Sequence, residues 1–82
     1  MKVAVIGAGS WGTALAQVVA KNNNEVLLWA RKDEVVRGIN ENHANPRYLS
    51  DVALSKNITA TKSHEEALSG AQACVIVVPS ST

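Results

Sequence analysis

Apolar residues along this chain fall into two kinds of run, and the two alternate. Lys2 to Ile6 is almost wholly apolar and β-branched, the pattern of a strand covered on both faces. From Ser10 to Asn22 the residues Trp11, Ala14, Leu15, Val18 and Val19 recur at helical spacing, which predicts a helix buried along that face. Asn22-Asn23-Asn24 ends it, with Asn23 expected as the C-cap because asparagine tolerates a left-handed turn. Glu25 to Ala30 reads as a second buried strand. Asp33 is placed to cap a second helix, which carries Val35, Val36 and Ile39 on its apolar side and is weakened by Gly38. Asn42 to Asn57 has little periodicity and contains Asn45-Pro46. Ile58 to Thr61 is a short third strand, and Ser63 with Glu66 forms a capping box for a third helix bearing Ala67, Leu68 and Ala71. Ala73 to Val78 is a fourth strand, stopped by Pro79.

The order β-α-β-α-β-α-β predicts an α/β fold with a parallel sheet, right-handed crossovers and helices on both faces. In the Rossmann-type doubly wound arrangement these strands take the order 3-2-1-4, a partial sheet. The fourth strand is then a bare apolar edge, Val75 to Val78, of the kind natural proteins cover. Either further chain or a second copy, as in a homodimer, is expected to cover it.

With 82 residues there is room for one domain, which buries only about 60–65% of the surface its unfolded chain exposes. At 46% hydrophobic and 18% charged residues the chain is globular rather than disordered. A net charge of +1 with no basic block points away from nucleic acid. The run Val3 to Ile6 is too short for a signal peptide or a membrane span. Cys74 is the only cysteine, so no disulfide framework exists and a cytoplasmic protein is expected.

The candidate chemistry lies where the first strand meets the first helix. Gly7-Ala8-Gly9-Ser10-Trp11-Gly12 is G-x-G-x-x-G in the setting that gives the motif meaning. Gly7 permits the tight turn, Gly9 lets backbone approach a pyrophosphate, and Gly12 lets helix and strand pack closely. The opening N–H groups of the helix then face the anion. An NAD-specific domain usually carries an acid about 20 residues further on, against the ribose 2′-OH. Here Ala30 is followed by Arg31 and Lys32, which suit a 2′-phosphate, so NADP(H) is favoured and NAD(H) remains possible. The ordinary reading of the two cations, a solvated helix start, has against it that basic residues are disfavoured in a first helical turn.

Tyr48, the only tyrosine, sits in the long loop and either meets a ligand or anchors the loop. Trp11 points at the cofactor or into the core, and Trp29, inside a strand pattern, is assigned to the core. His64 reads as a solvated surface residue, His43 as a structural loop residue and Cys74 as an inert core thiol. No His/Cys/Asp/Glu spacing suggests a metal, and Ser10 has no base beside it.

Four segments together resemble the N-terminus of bacterial NAD(P)-dependent sn-glycerol-3-phosphate dehydrogenases. They are Ile6-Gly7-Ala8-Gly9-Ser10-Trp11-Gly12-Thr13-Ala14-Leu15-Ala16, Val26 to Arg31, Asn42-His43-Ala44-Asn45-Pro46-Arg47-Tyr48-Leu49, and Val78-Pro79-Ser80. The resemblance covers all 82 residues and about the first quarter of that family's length. Asn23-Asn24 stands where the family often has Gly-His, and either pair makes a left-handed turn. The family reduces dihydroxyacetone phosphate to glycerol 3-phosphate for phospholipid synthesis. The resemblance implies that Ser10 and Trp11 contact the cofactor, that Arg31 and Lys32 lie near the adenosine ribose, and that Tyr48 closes over the adenosine side. It also implies that the catalytic lysines and a helical substrate-binding domain lie beyond these residues, so that this segment alone is inactive. Two alternatives stay open: another reductase with a similar N-terminal half, such as a ketopantoate or hydroxyacid reductase, and a non-enzymatic nucleotide-sensing module.

Overall fold

The computed structural model describes residues 1–48 and 51–77. Its elements are β1 Lys2–Ile6, α1 Ser10–Lys21, β2 Glu25–Trp29, α2 Asp33–Asn42, β3 Ile58–Thr61, α3 His64–Leu68 and β4 Ala73–Ile76. The four strands form one parallel sheet in the order β3-β2-β1-β4. This is the expected α/β arrangement. Helices α1 and α3 both pack on β1 and β2 yet make no substantial contact with each other, so they cover opposite faces.

Register sets up the site. Ile6 pairs with both Trp29 and Ile76, and Trp29 pairs with Thr61. The last residues of all four strands therefore stand in one row along the carboxyl rim. In open parallel sheets that rim is where ligands bind, outside the point at which strand order reverses. Here the reversal falls between β1 and β4.

The core is aliphatic. Val5, Val26, Leu28, Ile39 and Ala16 are fully buried, and Leu54 of the long loop joins them. α1 does not bury the face its larger side chains predict. Gly12, Thr13, Ala16 and Ala20 are the buried residues, while Trp11 is 80% and Val18 58% exposed. The cause is distance: the helix leaves the glycine turn so close to the sheet that only small side chains fit between. Trp11 and Val18 are turned out to solvent, while Leu15 and Val19 are half-buried.

Other boundaries shift for local reasons. Asn22, not Asn23, caps α1, and Asn23 takes the left-handed position that follows, with φ 64°. Asp33 does not cap α2. The cap is Lys32, without a side-chain hydrogen bond, and Asp33 is the first helical residue, 3.0 Å from Lys62 in an ion pair. An acidic residue there is stabilised by the helix dipole instead of by capping geometry. In α3 the Ser63 hydroxyl accepts from the Glu66 N–H at 3.1 Å, one half of the expected capping box, while the Ser63 N–H donates to Thr61 Oγ1 at 3.1 Å and not to Glu66. That helix is short, however: Leu68 is 46% exposed and Ala71 lies beyond it, after the left-handed Gly70.

Gly38 is a packing requirement as well as a weak helix former. A Cβ there would stand 2.5 Å from Pro46 Cδ and 2.9 Å from the Ala44 carbonyl oxygen. The loop after α2 lies directly on the helix, and only glycine leaves the room. The loop has no regular structure among its described residues but is pinned along its length. His43 ends α2 in a left-handed conformation and its carbonyl accepts from Leu54 N at 2.7 Å. Gln17 of α1 bonds Ser55 N at 2.8 Å through its side-chain oxygen.

β4 has one neighbour, and most of it is open. Ala73, Cys74 and Ile76 are exposed and Val75 is half-buried. Among the described residues Cys74 is exposed and is not the expected core thiol: α3 packs chiefly on β1, β2 and β3. The Val77 N–H continues the ladder to Ile6 O at 2.9 Å, while the expected end of the strand at Val78 lies outside the described residues. Among the described residues no helix is long and apolar enough to cross a membrane.

Candidate functional site

The connection from β1 to α1 is shaped by three glycines and held by several bonds, among them one from the Thr13 hydroxyl to the Ala8 carbonyl at 3.4 Å. The Gly7 N–H donates to Trp29 O at 3.2 Å, which ties the turn to the end of β2. The Thr13 N–H donates to Gly9 O at 2.9 Å and opens the helix. The Ala8 carbonyl accepts from the Asn45 side chain at 3.0 Å.

Each glycine answers a different need. Gly7 has φ +120°, and a Cβ on it would lie 2.6 Å from Val77 O, so both backbone conformation and space require glycine. A Cβ on Gly12 would overlap the Gly7 carbonyl oxygen, which makes this the tightest helix-to-turn approach in the fold. Gly9 is the opposite case. Its backbone is ordinary extended chain, φ −78° and ψ −166°, and nothing lies within 4 Å of where its Cβ would be. That open space lies beside the first turn of α1, in which Ser10, Trp11 and Gly12 have no intrahelical acceptor for their N–H groups. No side chain caps this helix and no acid occupies its first turn. The first turns of α2 and α3, by contrast, carry Asp33 with Glu34 and Glu65 with Glu66. The turn therefore presents free donors, a favourable dipole and room for backbone to approach an anion.

Around the turn runs a cleft of about 650 Å³, within the ordinary range for a small-molecule site. All eight residues that the sequence singles out, Gly7, Gly9, Ser10, Trp11, Gly12, Arg31, Lys32 and Tyr48, line it. Trp11 stands at its side rather than in the core, at 80% exposure. Arg31 and Lys32 follow the end of β2 and are exposed. Lys32 is the N-cap of α2 and Arg31 directly precedes it, so both cations stand at the end of the helix where the dipole disfavours positive charge. Among the described residues neither takes part in an ion pair, whereas the nearest carboxylate, Asp33, is engaged by Lys62.

Two assignments are corrected at the rim. Trp29 is not core: as the last residue of β2 it is half-buried, lines the cleft and donates from Nε1 to Lys62 O at 2.8 Å. Its ring stacks on His64, with centroids 4.3 Å apart and an interplanar angle of 17°. His64, though exposed, is thus a packed residue and not a freely solvated one. Helical spacing and strand pattern contain no sign of this pair, because it joins residues 35 apart in sequence.

Asn45 is the residue that sequence reasoning missed. It is fully buried and joins the long loop to the glycine turn. Its Nδ2 donates to Ala8 O at 3.0 Å and to Thr13 Oγ1 at 2.9 Å, and its Oδ1 accepts from the N–H groups of Arg47 at 3.0 Å and Tyr48 at 3.2 Å. The Asn-Pro pair signals the local turn, but nothing in the sequence signals the long-range half of the arrangement. Arg47 also pairs with Glu34 of α2 at 2.6 Å. The hydrogen bond to Glu34, and then its charge, hold the Arg47 pKa above the ordinary guanidinium value. Both partners are about half exposed, so solvent screens the pair and it contributes little to stability.

Comparison with known proteins agrees with this geometry. A model of the NAD-dependent glycerol-3-phosphate dehydrogenase N-terminus matches residues 2–82. The glycerol-3-phosphate dehydrogenase [NAD(P)+] of Corynebacterium urealyticum is 51% identical over 82 residues, covering 100% of this chain and 25% of that protein. That of Limosilactobacillus reuteri is 46% identical over 78 residues, covering 95% and 23%. Among solved structures, glycerol-3-phosphate dehydrogenase from Coxiella burnetii superposes with a TM-score of 0.85 at 35% identity, over 94% of this chain and 24% of that one. The Saccharomyces cerevisiae enzyme gives a TM-score of 0.87 at 30% identity, over 95% and 26%. The chain spans about a quarter of the length of the curated relatives it matches.

Proposed function

The chain belongs to the NAD-dependent glycerol-3-phosphate dehydrogenase N-terminal family, and from that premise we propose that its rim cleft binds the phosphate and adenosine parts of a nicotinamide dinucleotide. Residues 1–82 are the N-terminal part of a dinucleotide-binding domain. The substrate-binding helical domain and the catalytic groups lie outside them, and the whole protein interconverts dihydroxyacetone phosphate and sn-glycerol 3-phosphate. When bound, the nicotinamide supplies or accepts the hydride exchanged with the substrate carbon. The relatives' names carry NAD(P)+, and that cofactor class is taken over from them.

The observation that carries this reading is the open space at Gly9, set among eight cleft-lining residues chosen for the same chemistry. The residues fit the group. The glycine turn and the first N–H groups of α1 hold the pyrophosphate, Arg31 and Lys32 take the 2′-phosphate of NADP(H), and Tyr48 borders the adenosine. NADP(H) is favoured because two unpaired cations follow β2 where an NAD-specific site would place an acid, and the adjacent Asp33 is already paired.

Two substitutions separate these roles, read by quenching of Trp11 and Trp29 fluorescence on titration with NADPH and NADH. Arg31→Ala is expected to weaken NADPH binding about 10- to 100-fold, the worth of one or two charge-assisted bonds to phosphate, and to leave NADH within about threefold. Equal losses for both dinucleotides would show that Arg31 does not read the 2′-phosphate. Gly9→Ala is expected to keep its melting temperature, because the backbone accepts alanine and the methyl meets nothing. Both dinucleotides should nevertheless bind at least about tenfold more weakly, since the methyl occupies the pyrophosphate's approach. Undiminished binding by Gly9→Ala would sink the placement of the pyrophosphate.

A further inference from the structure

We propose that Asn45 is a positioning residue for the dinucleotide, fixing Tyr48 at the cleft by joining the long loop to the glycine turn. The inference rests on the reading of the cleft as a dinucleotide site.

The side-chain amide of asparagine has two N–H donors and an oxygen able to accept twice. In Asn45 all four capacities are used: toward Ala8 O and Thr13 Oγ1 on one side, and from the N–H groups of Arg47 and Tyr48 on the other. The orientation is forced. The Ala8 carbonyl can only accept and the two loop N–H groups can only donate, so a flipped amide would set oxygen against oxygen. No other side chain of this size supplies donors on one side and an acceptor on the other, glutamine being one carbon longer.

Position explains why this matters at the cleft. Ala8 lies between Gly7 and Gly9, and Thr13 is the fully buried residue next to Gly12. The donor half of Asn45 therefore grips the turn that frames the pyrophosphate. The acceptor half holds the backbone of Tyr48, whose ring lines the same cleft. Tyr48 is 41% exposed, so core packing does not fix it. Its place is set by its backbone, and that backbone is held by Asn45. The ion pair of Arg47 with Glu34 secures the loop to α2 but makes no link to the turn. Because Asn45 is completely buried, its four bonds are shielded from water, and leaving any of them unmade costs more than at the surface.

The test is a double-mutant cycle in the full chain of the protein, reading NADPH dissociation constants and melting temperatures together. Asn45→Asp preserves size and the acceptor half but turns an oxygen toward Ala8 O. It is expected to raise the NADPH dissociation constant about tenfold or more. Thr13→Val, a milder change should the first fail to fold, removes one partner of Nδ2 and is expected to give about a threefold rise, with Thr13→Ser returning to within about twofold of wild type. In a Tyr48→Ala background Asn45→Asp and Thr13→Val should weaken NADPH binding by clearly smaller factors than in the wild type, any remainder coming from their bonds to the turn, although both should still lower the melting temperature. Effects on binding that multiply with Tyr48→Ala overturn the proposal, as does wild-type affinity in both Asn45→Asp and Thr13→Val. A wild-type protein that binds neither NADPH nor NADH instead removes the dinucleotide reading itself, and this inference with it.

Discussion

Gly12→Ala is expected to abolish dinucleotide binding and to lower folding stability by about 3 kcal/mol, the upper end of ordinary overpacking. The added methyl would overlap the Gly7 carbonyl oxygen, a backbone atom that no rotamer change can move aside. Gly7 is itself fixed on three sides: by its N–H bond to Trp29 O, by its left-handed φ and by Val77 O beside it. Relief must therefore come from α1, which would have to lift away from the sheet at its first turn. That movement would separate the opening N–H groups from the turn and break the close packing of Thr13 and Ala16 below them. Urea unfolding and NADPH titration measure the two losses. Gly9→Ala is the control, since it adds the same methyl three positions earlier, where it meets nothing, and is expected to lose binding alone. Should Gly12→Ala bind NADPH within threefold of wild type, or unfold at the wild-type urea midpoint, the close approach seen here does not govern the site.

The contrast between these two glycines marks what sequence reasoning can reach. The motif spacing placed Gly7, Gly9 and Gly12 in one turn at the sheet rim, and alternation of runs placed the strands in the order observed. Periodicity misassigned the buried face of α1 because it weights side chains by size, whereas the distance from helix to sheet favours the small ones. Trp29 misled in the same way. It ends a strand whose other residues are largely buried, and end residues reach the rim. Cys74 reads as a core residue because a parallel strand usually has a covering layer on each face, but among the described residues β4 is the sheet edge and the five-residue α3 packs chiefly on the other strands. Asn45 is illegible for a different reason. Its local hydrogen bonds follow a turn pattern, while its partners Ala8 and Thr13 are 37 and 32 positions away. Such a residue becomes visible only when the chain has folded and a buried amide can be seen with every bond made.

Leu28→Ala carries the second large effect, and it acts on the fold rather than the ligand. Leu28 is the largest fully buried side chain, in a strand flanked on both sides, opposite Val5 of β1 and Ala60 of β3. Truncation removes three carbons, and Ala60 is too small to refill the space, so a loss of about 3–4 kcal/mol is expected. For a domain this small that is a large share of its total stability. The site stands directly on this strand: Trp29 is the next residue, and Arg31 follows two positions after it. A ligand that binds only the folded form stabilises it by RT ln(1 + [L]/Kd), about 2.7 kcal/mol at a concentration of about 100 times Kd. NADPH should therefore restore most of what Leu28→Ala loses, with unaltered affinity for the folded fraction, and should restore nothing in Gly12→Ala. Urea midpoints with and without NADPH separate the two. A Leu28→Ala midpoint that NADPH leaves unmoved would mean that the fold and the cleft are not coupled as the strand register implies.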